Sequence, residues 1–229
     1  MIDVFTHVPI QGLEYPGDAR MSPEGRYYVT PEGKKYPSAS TLVKKISEDA
    51  ILAWKKKVGE EQANAIAKRA ADRGTKLHTV CEHYLKNNMT PMDLMGMPIP
   101  TKALFLQLRP HLKSITGIYC IEQALYSHLL RVAGRTDAIV LWNGVPSVLD
   151  FKTTSKAKPE AWLLNYFIQL TAYSIMFQER TGMKVPQLVL LTATEDEPHA
   201  QVIVKPTRDY YAPLKNLIRE FWSTTPSFA

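Results

Sequence analysis

Cysteine is nearly absent: Cys81 and Cys120 are the only two, and they lie far apart in the chain. Two thiols exclude by count both a disulfide framework and a four-thiolate cluster, and such usage fits a reducing, intracellular setting. No apolar stretch approaches the ~18 residues needed to cross a bilayer, so no membrane role is expected. The opening residues MIDVFTHVPIQGLEYPGD carry no basic segment ahead of an apolar run and no Arg/Ser-rich amphipathic character, which argues against a leader peptide and for the cytoplasm. Repeats, low-complexity tracts and a G-x-x-x-x-G-K-[ST] nucleotide loop are also missing.

What is there is an ordinary apolar share and a basic balance. With 229 residues, 45% hydrophobic and 22% charged, the chain can bury one substantial core. A single domain over 1–229 is expected, with an N-terminal hairpin and helical region over 1–115 and an α/β core over 116–229. The formal charge of +6 and pI near 9.2 suit a surface that faces phosphates, although many basic proteins never meet nucleic acid.

Residues 1–37 are rich in Pro, Gly and Tyr, and the ordered body is expected to begin at a hairpin setting Tyr27–Thr30 against Lys35 and Tyr36. Ser38, Ser40 and Thr41 can cap a helix starting near Thr41; Ser47, with Glu48 and Asp49, starts another that Gly59 closes. Ala63, Ile66, Ala67 and Ala70 keep a helical stripe that Arg73-Gly74 interrupts and Leu77, Val80, Cys81, Tyr84 and Leu85 resume, so His78 and Glu82 share a helix face. A Met- and Pro-rich loop from Asn87 to Pro100 leads to an amphipathic helix from Thr101 to Ser114. From Ile118, alternation and β-branched residues give three antiparallel strands. A long helix from Glu160 to about Thr181, two more strands and a last helix, Asp209–Phe221, follow. This order predicts an α/β fold: a mixed sheet of about five strands flanked by helices, with an N-terminal helical region.

Asn143-Gly144 is the preferred loop of a type I′ hairpin, and pairing counted back from it sets Asp137 opposite Asp150, with Cβ atoms ~5 Å apart on one sheet face. Carboxylates that close repel unless compensated, and a divalent cation bound to both is the economical compensator. Strand alternation puts Lys152 on the same face, beside such a cation and any phosphate on it, and the Phe151 carbonyl offers another oxygen. In this reading Mg²⁺ or Mn²⁺ on Asp137 and Asp150 activates water and neutralises a phosphodiester, while Lys152 orients the water or stabilises developing charge. The same spacing also suits two solvent-facing aspartates with a flanking lysine.

GRTD at 134–137, VLDFK at 148–152 and QLTAY at 169–173 resemble the PD-(D/E)xK nuclease superfamily, in its RecB-like exonuclease branch. That branch combines a Gly-x-x-Asp strand, an Asp-x-Lys strand, a helix with Gln-x-x-x-Tyr and an upstream helical histidine, which RGTKLH supplies as His78. YYVTPEGKKYPSASTLV and the run from WKKKVGEEQ to CEHYL extend the resemblance to the mitochondrial genome maintenance exonuclease group and its phage and bacterial relatives, over roughly residues 26–175. The resemblance implies a restriction-endonuclease-like core and a metal-dependent DNA exonuclease that hydrolyses phosphodiester bonds, preferring single-stranded DNA with a free end. It implies Mg²⁺ or Mn²⁺ on His78, Asp137, Asp150 and the Phe151 carbonyl, catalysis by Asp137, Asp150 and Lys152, and active-site support from Gln169 and Tyr173, one helical turn apart. A duplex-DNA exonuclease of phage recombination, a structure-specific endonuclease and a non-catalytic nucleic-acid-binding module stay open.

Blander roles compete at several positions. His78 also suits a core or surface histidine, and Gln169 and Tyr173 suit simple amphipathic packing. Glu122 either backs the metal site or faces solvent, and Glu82 is as ambiguous. Arg73, Arg135, Thr153, Lys156 and Lys158 are expected near the cleft as phosphate contacts, although charge runs are usually solvated faces; Ser38, Ser40 and Thr41 can offer backbone amides to a phosphate. Tyr27, Tyr28, Tyr36 and Trp54 suit base stacking no better than core packing. Some RecB-like relatives hold an iron-sulfur cluster on four cysteines, which this chain cannot, so no such cluster is expected. Without its own motor the chain would act as a monomer on single strands or on ends opened by replication or recombination proteins, in a bacterial cell or phage-infected host.

Overall fold

The computed structural model describes residues 2–225. Order begins well before the hairpin where the sequence predicts it. Val8 donates to the Ile118 carbonyl at 2.8 Å, and Ile118 donates back to Thr6 at 2.9 Å. The Asn87 amide brackets the buried Phe5, accepting from its N–H at 2.8 Å and donating to its carbonyl at 2.9 Å. The reason is an exposed sheet edge, which needs a partner for its unpaired main-chain groups.

Next come β1 (Ala19–Ser22), β2 (Gly25–Val29) and β3 (Lys35–Pro37), an antiparallel sheet in which the expected β2–β3 hairpin gains a third strand. Ser38 caps α1 (Ala39–Val58), its Oγ accepting from the Thr41 N–H at 3.0 Å. Ser47 does not start a second helix: its hydroxyl bonds back to the Lys44 carbonyl, and an interior serine costs only a few tenths of a kcal/mol. Gly59, at φ 90°, separates α1 from α2 (Glu60–Leu85).

Helix α2 runs unbroken through Arg73-Gly74, contrary to expectation. One helical glycine costs ~1 kcal/mol, less than burying Leu77, Cys81, Tyr84 and Leu85 returns at ~1.5–3 kcal/mol for each large apolar side chain. The Met/Pro loop also holds a helix, α3 (Pro91–Gly96), started by a reciprocal capping box between Thr90 and Asp93. α4 (Ile99–Leu112) follows.

A five-stranded sheet completes the fold, ordered β4 (Ile115–Ser127), β5 (Val132–Trp142), β6 (Val145–Thr154), β7 (Gln187–Thr194) and β8 (Gln201–Pro206). The first three form the expected meander; β6 and β7 are parallel and β7 and β8 antiparallel, so the sheet is mixed. A parallel pair needs a crossover, here a 3-10 turn at Glu160–Leu163 and α5 (Leu164–Thr181), ended by Gly182 in the left-handed region. α6 (Tyr211–Thr224) closes the described chain.

Two cores flank the sheet. α1, α5 and α6 contribute Leu42, Phe167, Phe177, Leu214 and Phe221 to one; α2 and α4 contribute Leu77, Phe105 and Leu108 to the other. β7 feeds both, Leu188 and Leu190 to the first and Val189 and Leu191 to the second, which explains its uninterrupted apolar run. Ile139 and Val148 face α5, so Asp137, Asp150 and Lys152, an even number of residues along the same strands, emerge on that face too. Among the described residues, no helix is long and apolar enough to cross a membrane.

Candidate active site

The β5–β6 register is the one predicted from Asn143-Gly144, from Trp142 opposite Val145 to Ala138 opposite Leu149. It stops one pair short of Asp137 and Asp150, so the expected ladder pairing of those two does not form. The Phe151 N–H turns instead to Asp137 Oδ2, at 2.8 Å. With β5 and β6 released from each other, Asp137 and Asp150 line a cleft of about 520 Å³ together with Lys152, His78, Glu122, Gln169 and Tyr173.

His78 reaches the cleft from α2, its Nδ1 3.4 Å from Asp137 Oδ2 and its ring edge-on to Phe151. Among the described residues, one cluster has metal-ligating atoms within 4.8 Å of one another: His78, Glu122 and Asp137. Asp150 stands outside this cluster and forms an ion pair with Lys152. Its Oδ2 is buried with that ammonium beside it but without a hydrogen bond of good geometry. The same ammonium lies 3.4 Å from the Phe151 carbonyl, so it touches both β6 oxygens that the sequence assigned to a cation.

Electrostatics separate the acids. Burial raises the Glu122 carboxyl, and the Asp137 charge pushes it further, to about 7. Burial likewise lifts Asp150 to about 6; Lys152 pulls against this and Asp137 adds to it. Asp137 goes the other way, because His78 and Lys152 outweigh its desolvation. Burial disfavours the His78 imidazolium, yet Asp137 carries it up to about 9, and Lys152 is likewise held protonated against burial by Asp150 and Asp137. Carboxylates crowded this way, with the His78 imidazole and the Glu122 and Asp137 carboxylates at ligand spacing, fit a divalent cation.

Glu122 is the residue to which sequence reasoning gave no firm role. In the β4–β5 pairing it falls between Ile121–Ala138 and Gln123–Thr136, opposite Asp137. Its backbone is left-handed, φ 48°, a conformation that costs a non-glycine residue ~1–3 kcal/mol. Counting pairs back from the β4–β5 turn would have found it, but His128–Arg131 lacks a turn signature that fixes the register.

Gly134 of the GRTD motif has a steric reason. A Cβ there would stand 2.7 Å from Tyr173 Cε1, so the buried Tyr173 ring lies directly against the bare backbone. The Tyr173 hydroxyl accepts from Gln169 Nε2 at 2.9 Å, which fixes the amide that lines the cleft. Ser38, Ser40 and Arg26, the last not anticipated, form another wall, and Tyr28 and Glu82 also line the space.

Several expected phosphate contacts lie elsewhere. Arg73 pairs with Glu195 in a neighbouring groove of about 510 Å³ between α2 and α4. Arg135 borders the cleft, but its guanidinium donates to the carbonyls of Glu122 (2.5 Å), Gly17 (3.3 Å) and Pro16 (3.4 Å). Thr153 is not among the cleft residues, and Lys156 and Lys158 belong to the segment after β6, where Lys158 Nζ approaches the Tyr166 hydroxyl at 3.4 Å. Tyr36 is spent in packing, with its hydroxyl 2.8 Å from His128 Nδ1.

No family model matches the chain, and no curated protein matches it. Among solved structures, that of SSO0001 aligns with 83% of this chain and 76% of its own at 16% identity and a TM-score of 0.41. Rai1 of Scheffersomyces stipitis aligns with 72% of this chain and 51% of its own at 12% identity and a TM-score of 0.24. Likenesses this distant carry no argument about what the chain does.

Proposed function

We propose that the chain is a divalent-metal-dependent deoxyribonuclease of the RecB-like PD-(D/E)xK kind, an exonuclease that prefers single-stranded DNA with a free end. One observation carries the reading: His78, Glu122, Asp137, Asp150 and Lys152, drawn from a helix and three strands, converge on one cleft. A fold has little other use for three carboxylates, an imidazole and a lysine held against burial and mutual repulsion.

His78, Glu122 and Asp137 would hold the Mg²⁺ or Mn²⁺, with Asp150 and the Phe151 carbonyl next to them. When bound, the cation supplies Lewis-acid charge to the phosphodiester and to the attacking water. Lys152 presents a fixed ammonium to the charge that develops on the phosphoryl oxygens, in a partly water-excluded site where such charge acts strongly. Tyr173 orients Gln169 toward the scissile region. Ser38, Ser40 and Arg26 offer hydroxyls and a guanidinium to a neighbouring phosphate.

The test is nucleotide release from end-labelled linear and from circular single-stranded DNA with Mg²⁺ or Mn²⁺. Linear DNA is expected to be degraded and circles spared. Equal cutting of circles would make the enzyme an endonuclease, and preferential digestion of blunt duplex would make it a duplex exonuclease. Lys152→Ala is expected to lower kcat by about 100- to 1,000-fold while DNA is still retained, as loss of one transition-state charge contact does; an unchanged rate would remove Lys152 from the site.

A further inference from the structure

Helix α5 and the turn before it carry an aromatic stripe that leads out of the cleft. Tyr173, Gln169 and Tyr166 follow one another at spacings of four and three residues on one face of α5, and Trp162 lies in the 3-10 turn just before that helix. The inner pair line the cleft. Tyr166 stands at its edge, with Lys152 Nζ 5.3 Å and Lys158 Nζ 5.7 Å from its ring centroid. Trp162, at the outer end, is 71% exposed, although indole is among the costliest side chains to leave in water.

The segment that holds Trp162 is tied down. Thr154 Oγ1 donates to the Lys156 carbonyl at 2.6 Å, Gln201 Nε2 approaches the Lys158 carbonyl at 3.4 Å, and Glu160 pairs with Lys205. An exposed indole in a tied-down segment, a few residues after Lys156 and Lys158 and four residues before Tyr166 at the cleft's edge, has the chemistry of a platform for unpaired bases: a π-face for the base and ammonium groups for the flanking phosphates.

We propose that Trp162 stacks on an unpaired base of the DNA strand held in the cleft, with Lys156 and Lys158 on the adjoining phosphates. The proposal rests on the nuclease reading of the cleft and names how that site selects single strands: a paired base keeps its faces stacked inside the duplex and cannot offer one to Trp162.

The experiment compares wild type, Trp162→Ala and Trp162→Phe in the binding of labelled oligothymidylate and of an abasic oligonucleotide of equal length, with divalent metal chelated, and in the cleavage of the same oligothymidylate when Mg²⁺ is restored. Wild type is expected to prefer the base-bearing strand. Trp162→Ala should bind it about 10-fold more weakly, the usual scale of one base–aromatic stack, and raise KM rather than lower kcat. It should leave abasic binding unchanged, and Trp162→Phe should retain most of the preference. A purely structural tryptophan would not distinguish the two strands. If Trp162→Ala binds both oligonucleotides as wild type does while cleavage continues, the stacking inference is wrong and the nuclease reading stands; if wild type neither binds nor cuts oligothymidylate, both fall.

Discussion

At the scale of the residue, the most constrained contact in the site is between a glycine and a tyrosine far apart in sequence. Gly134→Ala would drive a methyl group into the buried Tyr173 ring. Because that ring also positions Gln169, the substitution is expected to destabilise the protein by ~1–3 kcal/mol and to lower activity, seen as a reduced urea midpoint and a lower kcat. An unperturbed midpoint would show that the ring moves aside freely. Glu122 allows a second residue-scale test, on the metal-free protein. Its carboxyl titrates near 7 when folded against an ordinary value of 4.5, so between these values the native state holds a proton that the unfolded chain has lost. This contribution, to which the raised Asp150 carboxyl adds, lowers stability as pH rises through that window, and Glu122→Gln should flatten the fall; a wild-type urea midpoint that climbs from pH 5 to 7 would contradict the assignment. The common face of Asp137, Asp150 and Lys152 was legible because Asn-Gly and strand alternation are local rules, although the pairing expected of the two aspartates stops one step short of them. Glu122 was not, because its place depends on the register of a hairpin whose turn carries no signature.

At the scale of the element, the sequence marked helices and strands well and their interruptions poorly. Ser47 and Gly74 both carry a local preference against helix, but a small one, and the helix runs through both: Gly74 sits just before the buried Leu77, Cys81, Tyr84 and Leu85, and Ser47 follows the buried first turns of α1. Gly74 lines the cleft, and a Cβ there would meet only Thr153 Oγ1, at an ordinary 3.8 Å. Gly74→Ala is therefore expected to stabilise α2 by ~0.5–1 kcal/mol, raising the urea midpoint with activity kept. Gly74→Leu should keep that helical gain and still lose activity, because its side chain occupies the space between α2 and β6. A loss of stability in the alanine variant would mean that the glycine serves the backbone and not the cleft. The β5–β6 hairpin illustrates the same limit: its turn dictates register for five pairs, and only the three-dimensional competition for the Phe151 N–H ends it where the site begins.

At the scale of the whole molecule, the site is assembled by layers that no local pattern connects. α2 brings His78 from one side of the sheet and α5 brings Gln169 and Tyr173 from the other, while the N-terminal segment runs along β4 and, through Arg135, ties down the main chain at Glu122. That segment was invisible in sequence because its partner is a sheet edge more than a hundred residues away. The convergence brings His78, Glu122 and Asp137 to ligand spacing in the folded state and leaves them far apart in the unfolded one, so a cation held by them would bind the native state preferentially. Mn²⁺ at about 100 times its dissociation constant would then add ~2.7 kcal/mol. For a chain of this length that corresponds to a rise of roughly 5–10 °C in Tm. Ca²⁺ or Mg²⁺ should raise Tm less than Mn²⁺ at equal concentration, since His78 contributes nitrogen to the donor set. The shift should vanish with EDTA and be largely lost in Asp137→Ala, whose metal-free Tm provides the reference. An equal Mn²⁺ shift in Asp137→Ala would place the cation elsewhere and remove the metal from the proposed chemistry.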